Sequence, residues 1–330
     1  MAGARTRQRG TILLATDFSK PAQRGFQYAM RLAGSLTAGL VIVHVVKAMG
    51  GTGRRKPIGS RYVDVLRTEA QVDLGRLARV ALDVGIPTEP RLVVGSPVSR
   101  ILEVAHEIRA GLIVLGTSGR TGWDRLRVGS TAEEIVRQAP CGVLTMRETI
   151  AGDSVGIRTA AGLHRLLVPT DFSVHAQAAI DAAVMLCKRL GGELFLTHAG
   201  PVEFTLARGA PAQTRSVGHT NSESPADNRA RLRNAVSALT GQGIAAHDLF
   251  MSGEPVEVIL EQAARYAVDG VVIGTRGHRG LHRLMLGSVA EEVTRRAGCP
   301  VLTVKSPLSR TTVATMSTRN VGINILHSVT

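Results

Sequence analysis

The chain has 330 residues, a length that suggests about two domains, each able to bury its own core. Hydrophobic residues make up 44% and charged residues 20%, which is typical of a globular protein and argues against a disordered one. The basic N-terminus precedes an apolar run too short for a secretory signal, and no run could span a bilayer, so we expect a cytoplasmic protein with no membrane association.

The net charge of +14 raises the question of a nucleic-acid partner. The basic residues are spread through both halves, aromatic residues are only 3% of the chain, and no DNA-reading motif is recognisable. We therefore expect a generally cationic surface that favours anionic ligands such as ATP, and we do not expect nucleic acid as the partner.

The sequence contains an internal duplication. Residues 12–19 recur as residues 166–173 at an offset of 154, whereas the Gly-x-Pro pattern at Gly95 recurs at Gly253, at an offset of 158. A constant offset that changes only once indicates that the second half gained four residues between its second and third strands.

The duplication sets the domain boundaries. We assign residues 1–150 and 160–305 to two equivalent domains, with a polar, glycine-containing linker over residues 148–163. Residues 306–330 are rich in Ser and Thr and have no counterpart in the first half, so we expect a largely disordered tail there.

Strands alternate with helical patterns in each half. The first strand is a continuous apolar run, as expected for a strand that is buried on both faces. The predicted strands are 12–16, 39–46, 89–94, 112–115 and 142–146, then 165–169, 193–199, 245–251, 271–273 and 300–304. The predicted helices are 23–34, about 63–84 and 131–138, then 176–190, 228–241 and 289–297, with one more helix opened by Gly-x-Pro in each half.

This alternation predicts an α/β fold of two tandem doubly wound domains, Rossmann-like or flavodoxin-like. Each domain is expected to have a five-stranded parallel sheet with helices on both faces. Loops are predicted over residues 47–61 and, longer and richer in Ser, Thr, Gly and Pro, over residues 200–227.

A glycine-punctuated basic loop follows the fourth strand of each half. Its members are Gly116, Gly119, Gly129 and Ser130 in the first half and Gly274, Gly277, Gly287 and Ser288 in the second. Glycine permits positive φ and a close approach of the backbone to a ligand, and a helix N-terminus favours an anion. Because open parallel sheets bind ligands at the carboxyl ends of their strands, the loop predicts a phosphate site. It is not a Walker A loop, since no Gly-Lys-Ser/Thr follows the glycines.

Together with the opening Thr-Asp-Phe-Ser turn, the His of the second strand and the proline-opened helix, this loop resembles the universal stress protein family over nearly all of residues 11–147 and 164–305. The family has ATP-binding members and members that bind no nucleotide, and this glycine pattern distinguishes them. The resemblance implies a nucleotide-dependent stress-response or regulatory module with two ATP sites, with magnesium on the phosphates.

The resemblance also implies roles for individual residues. Asp17 and Asp171 would lie at the ribose and adenine end, Val45 and Ala199 would line the base, and Gly116 and Gly274 would border the ribose. The phosphates would be held by Gly119, Gly129 and Ser130 and by Gly277, Gly287 and Ser288, with the following amides of Thr131 and Val289. The two domains are expected to pair through their last strands, and a homodimer and an unidentified protein partner are compatible with the family.

Several of these residues also have structural explanations. Ser130 with Glu133, and Ser288 with Glu291, match a capping box that would stabilise each helix by about 1 kcal/mol. Asp17 and Asp171 could shape the turn before a helix. We interpret His44 and His198 as hydrogen-bonded core histidines, and Cys141, Cys187 and Cys299 as small buried residues.

No paired carboxylates, nucleophile elbow or zinc motif is recognisable in the sequence, so a binding or sensing role is preferred over catalysis. The alternatives are a module of the same fold that binds no nucleotide and a slow magnesium-dependent ATPase.

Overall fold

The computed structural model describes residues 10–47, 60–117, 129–147, 162–201, 224–275 and 286–305. The predicted tail over residues 306–330, most of the predicted linker and the basic part of both glycine loops lie outside the described residues. None of the helices in the described ranges is long and apolar enough to cross a membrane.

Helices and strands alternate through both halves. The first half consists of β1 (Thr11–Ala15), α1 (Lys20–Leu36), β2 (Gly39–Val46), α2 (Ser60–Asp83), β3 (Thr88–Val94), α3 (Pro97–Glu107), β4 (Leu112–Gly116), α4 (Ser130–Gln138) and β5 (Gly142–Met146). The second half consists of β6 (Arg165–Pro169), α5 (Val174–Leu190), β7 (Glu193–Gly200), α6 (Pro225–Thr240), β8 (Ala245–Ser252), α7 (Pro255–Arg265), β9 (Gly270–Gly274), α8 (Ser288–Arg296) and β10 (Val301–Val304).

The described strands form one ten-stranded sheet in the order β3-β2-β1-β4-β5-β10-β9-β6-β7-β8. The strand pairs within each half are parallel, which confirms the predicted doubly wound α/β fold. The strand order reverses between β1 and β4, and again between β6 and β9. In open parallel sheets, ligands typically bind in a crevice at the carboxyl ends of the strands on either side of such a reversal.

The last strands of the two halves pair antiparallel, as the family resemblance implies. Leu144 of β5 lies opposite Leu302 of β10 at the centre of this pairing. The hydroxyl of Thr145 donates to the carbonyl oxygen of Val301 at 3.2 Å, and that of Thr303 donates to Val143 at 3.2 Å. The two halves are therefore joined by a pseudo-twofold arrangement within a single sheet.

One core runs through both halves on the face covered by α1, α2, α5 and α6. It includes Leu74 of α2, Leu232 of α6 and Leu302 of the joining strand. On the other face, α3 with α4 and α7 with α8 cover separate cores, and Leu286 packs against both of them. The face that carries the shared core therefore ties the two halves into one packed unit.

One predicted linker residue is buried and one predicted loop boundary is wrong. The buried residue is Leu163, and a Cβ added at Gly270 would lie 2.9 Å from its side chain. The loop over residues 200–227 is shorter than predicted because α6 already begins at Pro225. The start of α6 is fixed by a capping box, in which the Ser224 hydroxyl accepts a hydrogen bond from the Asp227 amide and the Asp227 carboxylate accepts one from the Ser224 amide.

Candidate functional site

The turn after β1 holds Asp17 at the carboxyl edge of the sheet. Its carboxylate accepts a hydrogen bond from the Ser19 amide at 3.0 Å, and the hydroxyl oxygen of Thr16 accepts one from the Phe18 amide at 3.0 Å. Phe18 has a φ of 63°, a conformation that costs a bulky residue free energy. Ser19 then caps α1 by accepting from the Ala22 amide at 3.4 Å.

The second half repeats this turn. Asp171 accepts from the Ser173 amide at 3.0 Å, and Thr170 accepts from the Phe172 amide at 3.0 Å. Phe172 has a φ of 59°, and Ser173 caps α5 by accepting from Ala176 at 3.2 Å. The predicted structural role of the two aspartates, in shaping the turn, is therefore confirmed for one oxygen of each carboxylate.

The two histidines support these turns. His44 Nδ1 lies 2.8 Å from the carbonyl oxygen of Thr16, and its ring stacks on Phe18 at 4.7 Å between centroids. His198 Nδ1 lies 2.8 Å from the carbonyl oxygen of Thr170, with its ring 4.8 Å from that of Phe172. The predicted hydrogen bonds are confirmed, but both histidines are half-buried and do not belong to the core. The structure adds that they hold the strained aromatic residue of each turn.

Val45 and Ala199 lie near the carboxyl ends of β2 and β7, and both are half-buried. Val45 packs against the core under α3 and α4, on the opposite side of the sheet from the turn histidine next to it in sequence. Both residues therefore present an apolar surface at the strand ends, on the face that also carries the helices after the glycine loops.

Gly116 and Gly274 end the fourth strand of each half, and each lies against the first turn of a helix. A Cβ on Gly116 would be 2.8 Å from the Cβ of Pro21 at the start of α1. A Cβ on Gly274 would be 2.5 Å from the carbonyl oxygen of His175 at the start of α5. Packing alone thus requires glycine at both positions, which the sequence did not reveal.

Gly129 and Gly287 close the two loops. The Gly129 amide donates to the carbonyl oxygen of Thr117 at 2.5 Å, and the Gly287 amide donates to Thr275 at 2.7 Å. Their φ angles are −61° and −65°, and neither Gly116 nor Gly274 has a positive φ. The expectation of positive φ is therefore wrong for these four glycines. A Cβ on Gly129 would lie 3.0 Å from the Thr117 oxygen, so close approach explains the residue.

The predicted capping boxes are wrong. Gly129 and Gly287 are the N-cap residues of α4 and α8, so Ser130 and Ser288 are the first residues inside the helices. Both serines are exposed. The first amides of a helix have no carbonyl within the helix to bond, and here they belong to Ser130 and Thr131 and to Ser288 and Val289. Capping therefore does not account for the two serines.

Gly119 and Gly277 lie outside the described residues, together with the basic residues of both loops. The remaining predicted site residues all lie at the carboxyl edge of the sheet, in two equivalent sets. Asp17, Val45, Gly116, Gly129, Ser130 and Thr131 form the first set, and Asp171, Ala199, Gly274, Gly287, Ser288 and Val289 form the second.

The three cysteines are free thiols. Burial raises the pKa of Cys141 to about 12 and that of Cys187 to about 11, and it raises the pKa of Cys299 to about 12. The prediction that they are packing residues is confirmed for Cys141 and Cys187, which are buried, while Cys299 is half-buried.

Two cavities lie where the halves meet. One of about 290 Å³ separates α4 from α8 and is lined by Glu133, Leu286 and Glu292, among others. The other, of about 430 Å³, lies beside α1 and is lined by Tyr28, His164 and neighbouring residues. Neither is lined by the aspartate turns, so we do not count them as part of the candidate site.

Comparisons with known proteins agree with the duplication. The model of the Universal stress protein family matches residues 8–147 and again residues 162–305. Universal stress protein YxiE of Bacillus subtilis strain 168 is 32% identical over 153 residues, which cover 43% of this chain and 99% of that protein. Universal stress protein MJ0531 of Methanocaldococcus jannaschii is 28% identical over 138 residues, which cover 42% of this chain and 81% of that protein. Each relative thus corresponds to about one half.

A universal stress protein from Archaeoglobus fulgidus DSM 4304 has a solved structure that is similar to both halves together. Its TM-score is 0.66, at 22% identity, over 90% of this chain and 97% of that chain. At this identity the likeness shows the fold alone, and it extends over the paired arrangement of the two halves.

Proposed function

Because this chain belongs to the universal stress protein family and contains its domain twice, we propose that it binds ATP at the carboxyl edge of each half and acts as a nucleotide-dependent regulatory module. The observation that carries the proposal is the start of α4 and of α8. There the amides of Ser130 and Thr131, and of Ser288 and Val289, end a loop that follows the strand beside the aspartate turn.

The start of each helix suits a phosphate. Two successive amides without helical partners can donate to phosphate oxygens, and the positive end of the helix dipole favours the anion. Gly129 and Gly287 precede these amides, and a Cβ on Gly129 would lie 3.0 Å from the Thr117 oxygen, so a side chain there would require the backbone to move. The exposed hydroxyls of Ser130 and Ser288 supply a further donor at each site.

The other end of each site suits a nucleoside. The Ser19 amide takes one position on the Asp17 carboxylate, which as an acceptor-only group has about four lone-pair sites for hydrogen bonds. It can therefore also accept from a ribose hydroxyl or the adenine amine. Val45 gives the base an apolar wall in the first half, and the smaller Ala199 does so in the second.

Magnesium bound with ATP would neutralise charge on the phosphates. The described residues supply amide donors, a carboxylate acceptor and apolar walls, and these groups can bind and orient a nucleotide. This supports binding and signalling as the main role, with any hydrolysis slow.

Titration of the full-length protein with ATP and magnesium tests the proposal. We expect two binding events per chain, one lost in Gly129→Val and the other in Gly287→Val. Gly75→Ala is the matched control, because that glycine lies exposed on α2 and a Cβ added there would meet nothing within 4 Å beyond the backbone of its own helix. Absence of binding at millimolar ATP would favour a module of the same fold that binds no nucleotide. Phosphate release that stops in the double variant would indicate an ATPase.

A further inference from the structure

A stack of cations and rings lies behind the aspartate turn of the second half. The guanidinium of Arg231 lies 4.3 Å from the ring centroid of Phe172, and the Phe172 ring lies 4.8 Å from that of His198. The ring centroids of His198 and Phe250 are 5.8 Å apart, and the guanidinium of Arg229 lies 4.5 Å from the ring centroid of Phe250. The stack therefore extends across the carboxyl ends of β6, β7 and β8, between two arginines of α6.

Within the described residues, the first half lacks most of this stack. It keeps the Phe18–His44 contact, but Leu92 pairs with His44 in the sheet where Phe250 pairs with His198. The corresponding helices α2 and α6 align through Leu74 and Leu232, both fully buried.

This alignment places Asp73 where the second half has Arg231, and Gln71 where it has Arg229. Asp73 pairs within its own helix with Arg76 at 3.3 Å. The first half thus has a carboxylate at the position from which a cation covers the turn in the second half.

The stack acts on a strained residue. Phe172 has a φ of 59°, and a bulky residue keeps such a conformation only where its surroundings hold it. In the second half the Phe172 ring is held between His198 and Arg231, whereas among the described residues Phe18 has a ring contact with His44 alone. Asp171, the ligand-binding carboxylate of the proposed site, directly precedes Phe172 in the chain.

The stack and the proposed nucleotide lie on opposite sides of the sheet. Phe172 and Phe250 pack against the core under α5 and α6. Ala199 follows His198 and so points to the other face, where α8 begins. Arg231 is therefore a positioning residue, which acts on the Asp171 turn through Phe172.

We infer that the two nucleotide sites are unequal, and that ATP occupies the second half first because Arg231 holds the Asp171 turn in its binding conformation. The inference rests on the proposed function. If the turn adopts its binding conformation in only a fraction of the molecules, the apparent affinity for ATP is the intrinsic affinity multiplied by that fraction. The fraction is larger where a neighbouring side chain holds the turn, so the apparent affinity is higher there.

Hydrogen exchange in the nucleotide-free protein tests the positioning itself. The Ser173 amide donates to Asp171, and the Ser19 amide makes the equivalent bond to Asp17. We expect the Ser173 amide to exchange more slowly than that of Ser19, and Arg231→Gln to remove the difference while amides in β9 keep their protection. Equal exchange in the native protein, or no change in Arg231→Gln, would overturn the inference.

Calorimetric titration with ATP and magnesium tests the consequence. Gly129→Val leaves only the second site and Gly287→Val only the first, so each can be measured alone in the full chain. We expect the second site to bind about 5- to 10-fold more tightly, the order expected for one cation over an aromatic ring.

Variants that remove the stack from the second half or build it in the first half should change the relative ATP affinity of the two sites. Arg231→Asp should weaken the second site and leave the first unchanged, Arg231→Lys should recover part of the loss, and Asp73→Arg with Leu92→Phe should strengthen the first. Equal affinities, or an equal effect of Arg231→Asp on both sites, would overturn the inference while leaving the proposed function intact. Absence of ATP binding in both halves would instead overturn the proposed function.

Discussion

The backbone amide of Gly129 donates a hydrogen bond to the carbonyl oxygen of Thr117, with 2.5 Å between nitrogen and oxygen. The bond joins the residue that follows β4 to the N-cap of α4, so it fixes where the helix starts relative to the sheet edge. The second half has the same bond between Gly287 and Thr275. The glycine amide is thus used within the protein, and the donors that we propose for the phosphates are the next two amides.

Replacing Gly129 by valine should therefore damage both the loop closure and the first site. The new Cβ would lie 3.0 Å from the Thr117 oxygen, so backbone must shift at the helix start. We expect a loss of about 1–3 kcal/mol in the free energy of unfolding, as for other overpacked sites, and loss of ATP binding in the first half. Urea denaturation and calorimetric titration measure the two effects. Two binding events per chain with wild-type affinities in this variant would show that the helix start does not hold the phosphates.

Gly116 and Gly274 should behave as packing residues. Alanine at either position would press on the first turn of α1 or α5, and the contact is closer at Gly274, where it is with backbone. We expect Gly116→Ala and Gly274→Ala each to lower the free energy of unfolding by about 1–3 kcal/mol, with the larger effect at Gly274.

Gly75→Ala is the control for this series, because an exposed helical glycine with open space around it should gain up to about 1 kcal/mol on replacement by alanine. A denaturation midpoint unchanged by Gly274→Ala would contradict the packing explanation. In that case, contact with the ligand would be the explanation for glycine at position 274.

The two halves should unfold together. Their sheet is continuous through the Leu144–Leu302 pair, and one core spans both halves. We expect a single calorimetric transition, and we expect Leu302→Ala to shift the whole of it, with a loss of about 2–5 kcal/mol for a buried leucine. Two separate transitions, of which only one responds to Leu302→Ala, would show that the halves are independent.

The free energy of unfolding should fall as the pH rises above about 9. Burial raises the pKa of Cys141 from its ordinary 9.0 to about 12, whereas in the unfolded chain the thiol ionises near its ordinary value. The unfolded state therefore loses its proton first, and stability is lost between these two pKa values. Cys187, with a pKa of about 11, adds to the same slope.

Each of these thiols should contribute about 1 kcal/mol of destabilisation between pH 8 and pH 10. Comparing urea denaturation of the native protein with that of Cys141→Ala over this range isolates the contribution of one thiol. An equal slope in the two proteins would contradict a buried, protonated Cys141.

The parts of the fold set by local patterns could be predicted from the sequence. The strand Gly39–Val46 was predicted with the bounds that the structure gives, because a buried parallel strand is a continuous apolar run. The duplication and the glycine spacing placed the candidate site residues at the carboxyl edge of both halves, where the described ones lie. The position of Asp17 followed from the same argument.

Features that depend on tertiary contacts could not be predicted. Glycine and serine are both good N-cap residues, so only the backbone angles show that Gly129 and not Ser130 has this role. The closeness of Gly116 to Pro21 arises from residues far apart in sequence. The equivalence of Asp73 in the first half and Arg231 in the second depends on the alignment of α2 with α6, which the buried residues Leu74 and Leu232 define.

The most direct test of the central claim is to identify the small molecule that leaves the full-length protein when it is unfolded. The protein is purified without added nucleotide, denatured, and the released compounds are separated by chromatography and identified by mass. We predict an adenine nucleotide, up to two per chain, that is lost from the double variant Gly129→Val/Gly287→Val. No released nucleotide, together with no uptake of ATP and magnesium by the native protein, would contradict the claim.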